Sequence, residues 1–158
     1  MKTSNWLFIS MALLSAIYLQ PLFGVFSPCI NTKTSIQPLT FSSQLEYQKF
    51  VKIAGLLNPF IKERTNMGTS LGDETLATFG NQRVVFNSLG KESEKAPLLK
   101  QVEQLQPLEF QNQKHYETFF NIARRLNGHV VERTGMGLNR GDYTLARFNN
   151  KRIILQTS

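Results

Sequence analysis

The sequence predicts an α+β fold: two tandem β-α-β-β-β repeats packed as one pseudo-twofold domain, behind an N-terminal signal or anchor segment. Three observations carry this. The chain overlays itself without a gap when shifted by 69 residues. Each copy passes from helical spacing to strand-like runs at the same places. An apolar run precedes both copies. With 158 residues, 41% apolar and 18% charged, the chain has the length of one domain and the composition of a folding protein.

The first five residues carry one charge, Lys2, and an apolar or small run follows from Trp6 to Leu19, stopped by Gln20-Pro21. A basic start followed by roughly 7–15 apolar residues is the secretory signal pattern. Read through to Phe26, the run reaches 21 residues, just long enough to span a bilayer. Residues 1–28 therefore read as a cleaved signal peptide or a retained anchor, and less readily as a buried helix. Either of the first two places the remainder past a membrane: periplasmic, secreted, or anchored and facing outward. Cys29 is the only cysteine, which excludes an intramolecular disulfide framework and a Cys-based zinc finger. It reads as a linker residue.

The duplication dictates the architecture. Residues 37–88 and 106–157 share 24 identities in 52 positions, where chance gives about three at ordinary residue frequencies. Gln37-Pro38-Leu39 matches Gln106-Pro107-Leu108, and Glu63-Arg64-Thr65 matches Glu132-Arg133-Thr134. Gly72-Asp73 matches Gly141-Asp142.

Within each copy the elements follow in order. Gln-Pro-Leu-x-Phe is a short extended lead-in, and its proline confines it to a sheet edge. A helix is expected from Ser43 to Leu57, because Phe50, Ile53, Ala54 and Leu57 recur at helical spacing. Phe119, Ile122, Ala123 and Leu126 repeat that stripe. Ser43 with Glu46 spells a capping box. Asn58-Pro59 and Asn127-Gly128 end the helices. A strand follows at 60–65 and 129–134, then a glycine-containing loop. A two-strand hairpin closes each copy, turning at Gly80-Asn81 and Asn149-Asn150, residues that accept positive φ.

One such unit has too little core to stand securely alone, so 37–158 is expected to form one domain, helices on one side and strands in a shared or facing sheet. Repeat 1 spans 37–88 and repeat 2 spans 106–158. Between them, 89–105 is a connector with three Lys and three Glu, whose leucine and valine spacing suggests a short helix.

Few motifs carry chemistry. The chain has no Gly-rich phosphate loop and no Gly-x-Ser-x-Gly elbow. Its two histidines, His115 and His129, have no counterpart in repeat 1, so no metal site and no cofactor are expected. Glu63, Arg64, Asp73 and Arg83, repeated as Glu132, Arg133, Asp142 and Arg152, are the polar signature of the repeat. Both Asp residues follow glycine at a strand start and read as turn caps. A hydrolase using Glu63/Asp73 or Glu132/Asp142 is an alternative, which requires the two carboxylates to converge. Arg140-Gly141-Asp142 spells an integrin-ligand tripeptide. Repeat 1 has Leu71-Gly72-Asp73 there, so Gly-Asp belongs to the repeat and only Arg140 is particular.

Charge distinguishes the copies. Repeat 1 has five Lys/Arg against four acids and repeat 2 eight against four, so +1 against +4 in a chain of net +7. The hairpin register sets Arg147 opposite Arg152, whereas repeat 1 has Thr78 opposite Arg83. Directly opposed like charges are destabilising, and an anion between two guanidiniums would relieve them. The sequence therefore favours an exported, non-enzymatic binding module whose second repeat recognises an anion. Arg147 and Arg152 form its centre, with Lys151, Arg140, Arg124 and Arg125 as flanks. Its partner would be an anionic polymer, an anionic membrane surface or an acidic protein. Nucleic acid is not favoured, because only Phe148 and Tyr143 are placed to stack bases. A structural or inhibitory protein docking by a sheet edge, including as a homodimer, is the remaining alternative.

Overall fold

A helix with one apolar stripe must lay it against an apolar sheet face, and the duplicated stripe makes the chain do this twice. The structure is a computed structural model that describes residues 36–89 and 105–157, all within the unit Thr34–Ser158. The expected signal or anchor, Cys29 and the connector helix lie outside the described residues. Repeat 1 contains β1 (Leu39–Thr40), α1 (Gln44–Leu57), β2 (Ile61–Thr65), β3 (Asp73–Phe79) and β4 (Gln82–Asn87). Repeat 2 contains β5 (Leu108–Glu109), α2 (Gln113–Leu126), β6 (Val130–Thr134), β7 (Asp142–Phe148) and β8 (Lys151–Gln156). The fold is thus α+β, two helices with two mixed four-stranded sheets.

The sheets run β1-β3-β4-β2 and β5-β7-β8-β6. The short strand after each proline pairs in parallel with β3 or β7 and occupies an edge. There the missing proline N–H costs no ladder bond. All other pairings are antiparallel. Among the described residues each repeat keeps its own sheet, so the shared sheet allowed above is not formed. Gly80 and Asn149 take φ of 53° and 51° at the hairpin turns, the positive values such two-residue connections demand.

Each helix covers the inner face of its own sheet. From α1, Tyr47, Phe50, Ile53, Ala54 and Leu57 are buried, and from α2, Tyr116, Phe119, Ile122, Ala123 and Leu126. They meet Ala77, Val84 and Phe86 in one sheet and Ala146, Ile153 and Leu155 in the other, in one continuous core. The helices also touch each other, with the Phe50 and Phe119 rings 6.0 Å apart and edge-to-face. In addition, α1 contacts β5 and α2 contacts β1.

The helix starts differ. Ser43 occupies the N-cap of α1, but its side chain makes no capping hydrogen bond, so the expected capping box does not close. Asn112, in the matching place, accepts from the Lys114 and His115 N–H groups at 2.8 and 3.2 Å.

Candidate anion-binding site

The signature residues sort onto the two faces of each sheet by strand alternation. Val84 and Phe86 point inward to the helix, so Arg83, Val85 and Asn87 point outward. Residues directly opposite in antiparallel strands share a face. The register Arg64↔Arg83↔Thr78 and Asp73↔Asn87 therefore puts Arg64, Asp73 and Arg83 together on the outer face. Glu63 is opposite Val84 and faces inward. Repeat 2 sorts the same way, with Arg133, Asp142, Arg147 and Arg152 outward and Glu132 inward.

This sorting separates the carboxylates that a hydrolase would need together. Glu63 lies near Tyr47 of α1, whose phenol is pushed well above its usual value by burial and then by the Glu63 charge. Tyr116 is pushed up likewise, by burial and then by Glu132. Asp73 and Asp142 lie on the opposite sides of their sheets, so neither Glu/Asp pair converges. Among the described residues no cluster of three or more His, Cys, Asp or Glu is arranged to hold a metal.

On the outer face of repeat 1, Asp73 has a fully buried carboxylate that pairs with Arg64 Nε at 3.0 Å and Arg83 Nη2 at 3.6 Å. Its Oδ1 accepts from Asn87 Nδ2 at 3.3 Å. Arg83 is 2% exposed and every nitrogen of its guanidinium is engaged. Nε donates to the Asn66 carbonyl at 3.2 Å, Nη1 to Thr75 Oγ1 at 3.3 Å, and Nη2 to the Gly68 carbonyl. The arginine thereby fastens the start of the 66–72 loop to the sheet. Reading Asp73 as a turn cap missed this role. The signal was present, because Arg64, Asp73 and Arg83 recur together 69 residues on.

Repeat 2 keeps the same residues and engages them less completely. Asp142 Oδ2 is 3.6 Å from both Arg133 Nη1 and Arg152 Nη2. It also accepts from the Asn139 N–H at 3.2 Å, so here the turn-cap reading does describe a bond. Arg152 is 2% exposed, yet its Nε and Nη1 have no hydrogen-bond partner among the described residues. The Arg147 Nε is in the same condition. Arg147 does lie opposite Arg152, and the mutual repulsion is offset by internal acids: Asp142 beside Arg152, and Glu109 Oε1 at 3.5 Å from Arg147 Nη1. Glu109 and Arg147 stand where repeat 1 has Thr40 and Thr78, whose hydroxyls are 3.4 Å apart.

The other basic residues are distributed over the surface. Arg140 is exposed on the 135–141 loop, and Lys151 pairs with Glu132 at 3.4 Å. Arg124 and Arg125 lie on α2, across the sheet from Arg147 and Arg152. Arg124 is exposed, whereas Arg125 grips Glu74 of repeat 1 through two bonds of 2.5 and 2.6 Å. The structure therefore places Arg133, Arg147 and Arg152 on one face and leaves Lys151, which alternates to the Glu132 side, and the two helix arginines off it. Among the described residues no helix is long and apolar enough to cross a membrane. No protein-family model matches this chain, and no curated protein or solved structure does either.

Proposed function

We propose that this chain is an exported, non-enzymatic binding module that takes an anion on the outer face of its second repeat, at Arg147 and Arg152. In this reading the two repeats pack about a pseudo-twofold axis, which the reciprocal contacts of α1 with β5 and α2 with β1 support. The observation that carries the proposal is the contrast between two buried arginines at matching positions. All three nitrogens of Arg83 are hydrogen-bonded, whereas Nε and Nη1 of Arg152 have no partner among the described residues. A buried donor left unmet costs about 1–3 kcal/mol, which favours an oxyanion that accepts from Arg152 and from Arg147, the residue opposite it in the register. The +4 charge of the second repeat favours the same class of ligand.

The test is a titration of the full chain with inorganic sulfate and with a sulfated polysaccharide, at low and high salt. Arg147→Thr sets a threonine opposite Arg152, as Thr78 stands opposite Arg83, and leaves both members of the buried Arg152–Asp142 pair in place. Saturable, salt-sensitive binding that weakens about tenfold in Arg147→Thr is expected, since charge-assisted hydrogen bonds contribute about 1.5–3 kcal/mol. Equal affinity of the variant and the parent would overturn the assignment.

A further inference from the structure

The loops 66–72 and 135–141, which follow β2 and β6, share an unexplained property. Among the described residues, four of the six exposed large apolar side chains lie on them: Met67 and Leu71 on 66–72, and Met136 and Leu138 on 135–141, at 57, 89, 54 and 67% exposure. Folding gains nothing from side chains held in water; Met67 and Met136 occupy matching places in the two repeats, while Leu71 and Leu138 stand where the other copy has Arg140 and Thr69. The loops are nonetheless built in a definite way. Gly72 and Gly141 take φ of 80° and 84°. Their carbonyls accept from the N–H groups of Ser88 and Thr157 at 3.0 and 3.1 Å, and from the hydroxyls of the same residues.

We infer that these loops are apolar tips that enter the headgroup region of an anionic lipid bilayer. Charge complementarity selects this occupant. Neither 66–72 nor 135–141 contains an acidic residue, and the second loop carries exposed Arg140 beside Met136 and Leu138. An apolar side chain flanked by arginine suits the boundary where acyl chains meet lipid phosphates. The inference rests on the anion-binding reading for its headgroup contacts, and the loops supply the apolar half.

The N-terminal run complicates simple vesicle binding, so the readout must be local to the loop. Trp6 is the only tryptophan, and the full-length variant W6F/L138W places one reporter at an exposed loop position. With phosphatidylcholine vesicles containing phosphatidylglycerol, its emission is expected to shift to the blue and to be quenched by lipids brominated near the headgroup. Met136→Ser in this background is expected to weaken the vesicle dependence of that shift about tenfold, the effect of withdrawing one large apolar side chain from burial. A reporter unmoved by vesicles, in a protein that still binds sulfate or sulfated polysaccharide, overturns the bilayer and leaves the anion site standing with a soluble ligand. A shift that survives Arg147→Thr unchanged supports insertion and removes Arg147 from it. An equal shift with phosphatidylcholine alone overturns the requirement for an anionic surface.

Discussion

The two repeats carry one fold at different degrees of completion. Repeat 1 ties its loop to the sheet through Arg83, and its outer face has a hydroxyl pair, Thr40 with Thr78. Repeat 2 retains the buried arginine and aspartate, exchanges the hydroxyl pair for Glu109 with Arg147, and leaves donors of Arg152 without partners. Its helix, by contrast, is the better finished, capped by Asn112 where Ser43 makes no cap bond. A duplicated sequence allows folding and recognition to be separated, because each copy is a control for the other. What recurs, namely the aromatic stripe and the Arg-Asp-Arg cluster, builds the fold; what differs points to function.

The largest expected effect tests the clusters directly. Asp142→Asn is expected to cost about 4 kcal/mol and Asp73→Asn about 3, in urea unfolding, because each strips the charge partner from a buried guanidinium. Arg83 keeps three hydrogen bonds without Asp73, whereas Arg152 keeps none among the described residues. Sulfate should recover stability in Asp142→Asn more than in Asp73→Asn. The reverse order of costs would mean that Arg152 is better partnered than the geometry indicates.

The next effect concerns the joint between repeats. Arg125 and Glu74 form a two-pronged bridge across it, while the positions 69 away, Leu56 and Tyr143, are apolar and pack against the core. Glu74→Arg sets two guanidiniums against each other and is expected to cost about 2 kcal/mol, reduced from the fully buried case by partial exposure. Glu74→Arg/Arg125→Glu should regain more than half of it. No recovery in the double variant would show that the bridge does not join the repeats.

The smallest effect lies at the helix starts. Asn112→Ala is expected to lower stability by about 1 kcal/mol, and Ser43→Asn to raise it by about 0.5, as the first helix acquires the cap of the second. Thermal unfolding of both variants measures this, and a gain from Ser43→Asn equal to zero would mean that the backbone at 43–46 does not admit the bond.

Much of the scaffold was legible because it is local. Helical spacing, proline at an edge and small residues in two-residue turns are short-range signals, and their duplication doubled each one. The hairpin register that sets Arg147 opposite Arg152 followed from turn length alone. The candidate site was legible only in part. The sequence sets Arg147 opposite Arg152, as the register has them, but it does not join Arg133 to their face and it groups Lys151, Arg124 and Arg125 with them. Which face of a sheet a helix covers decides that grouping, and it depends on packing between segments distant in sequence. The capping box is a smaller instance, since Ser43 and Glu46 have the right identities and the local backbone does not bring them to bond.

The order of elements, the aromatic stripes and the charge difference between repeats are thus properties of the amino-acid sequence, because each depends on residues within a few turns or strands. The separation of Glu63 from Asp73, the burial of Arg83 and Arg152, and the bridge from Arg125 to Glu74 were decided by the tertiary structure. Each depends on which surfaces face each other once helices close over the sheets, and burial is what turns an arginine on a strand into a charge that must find a partner.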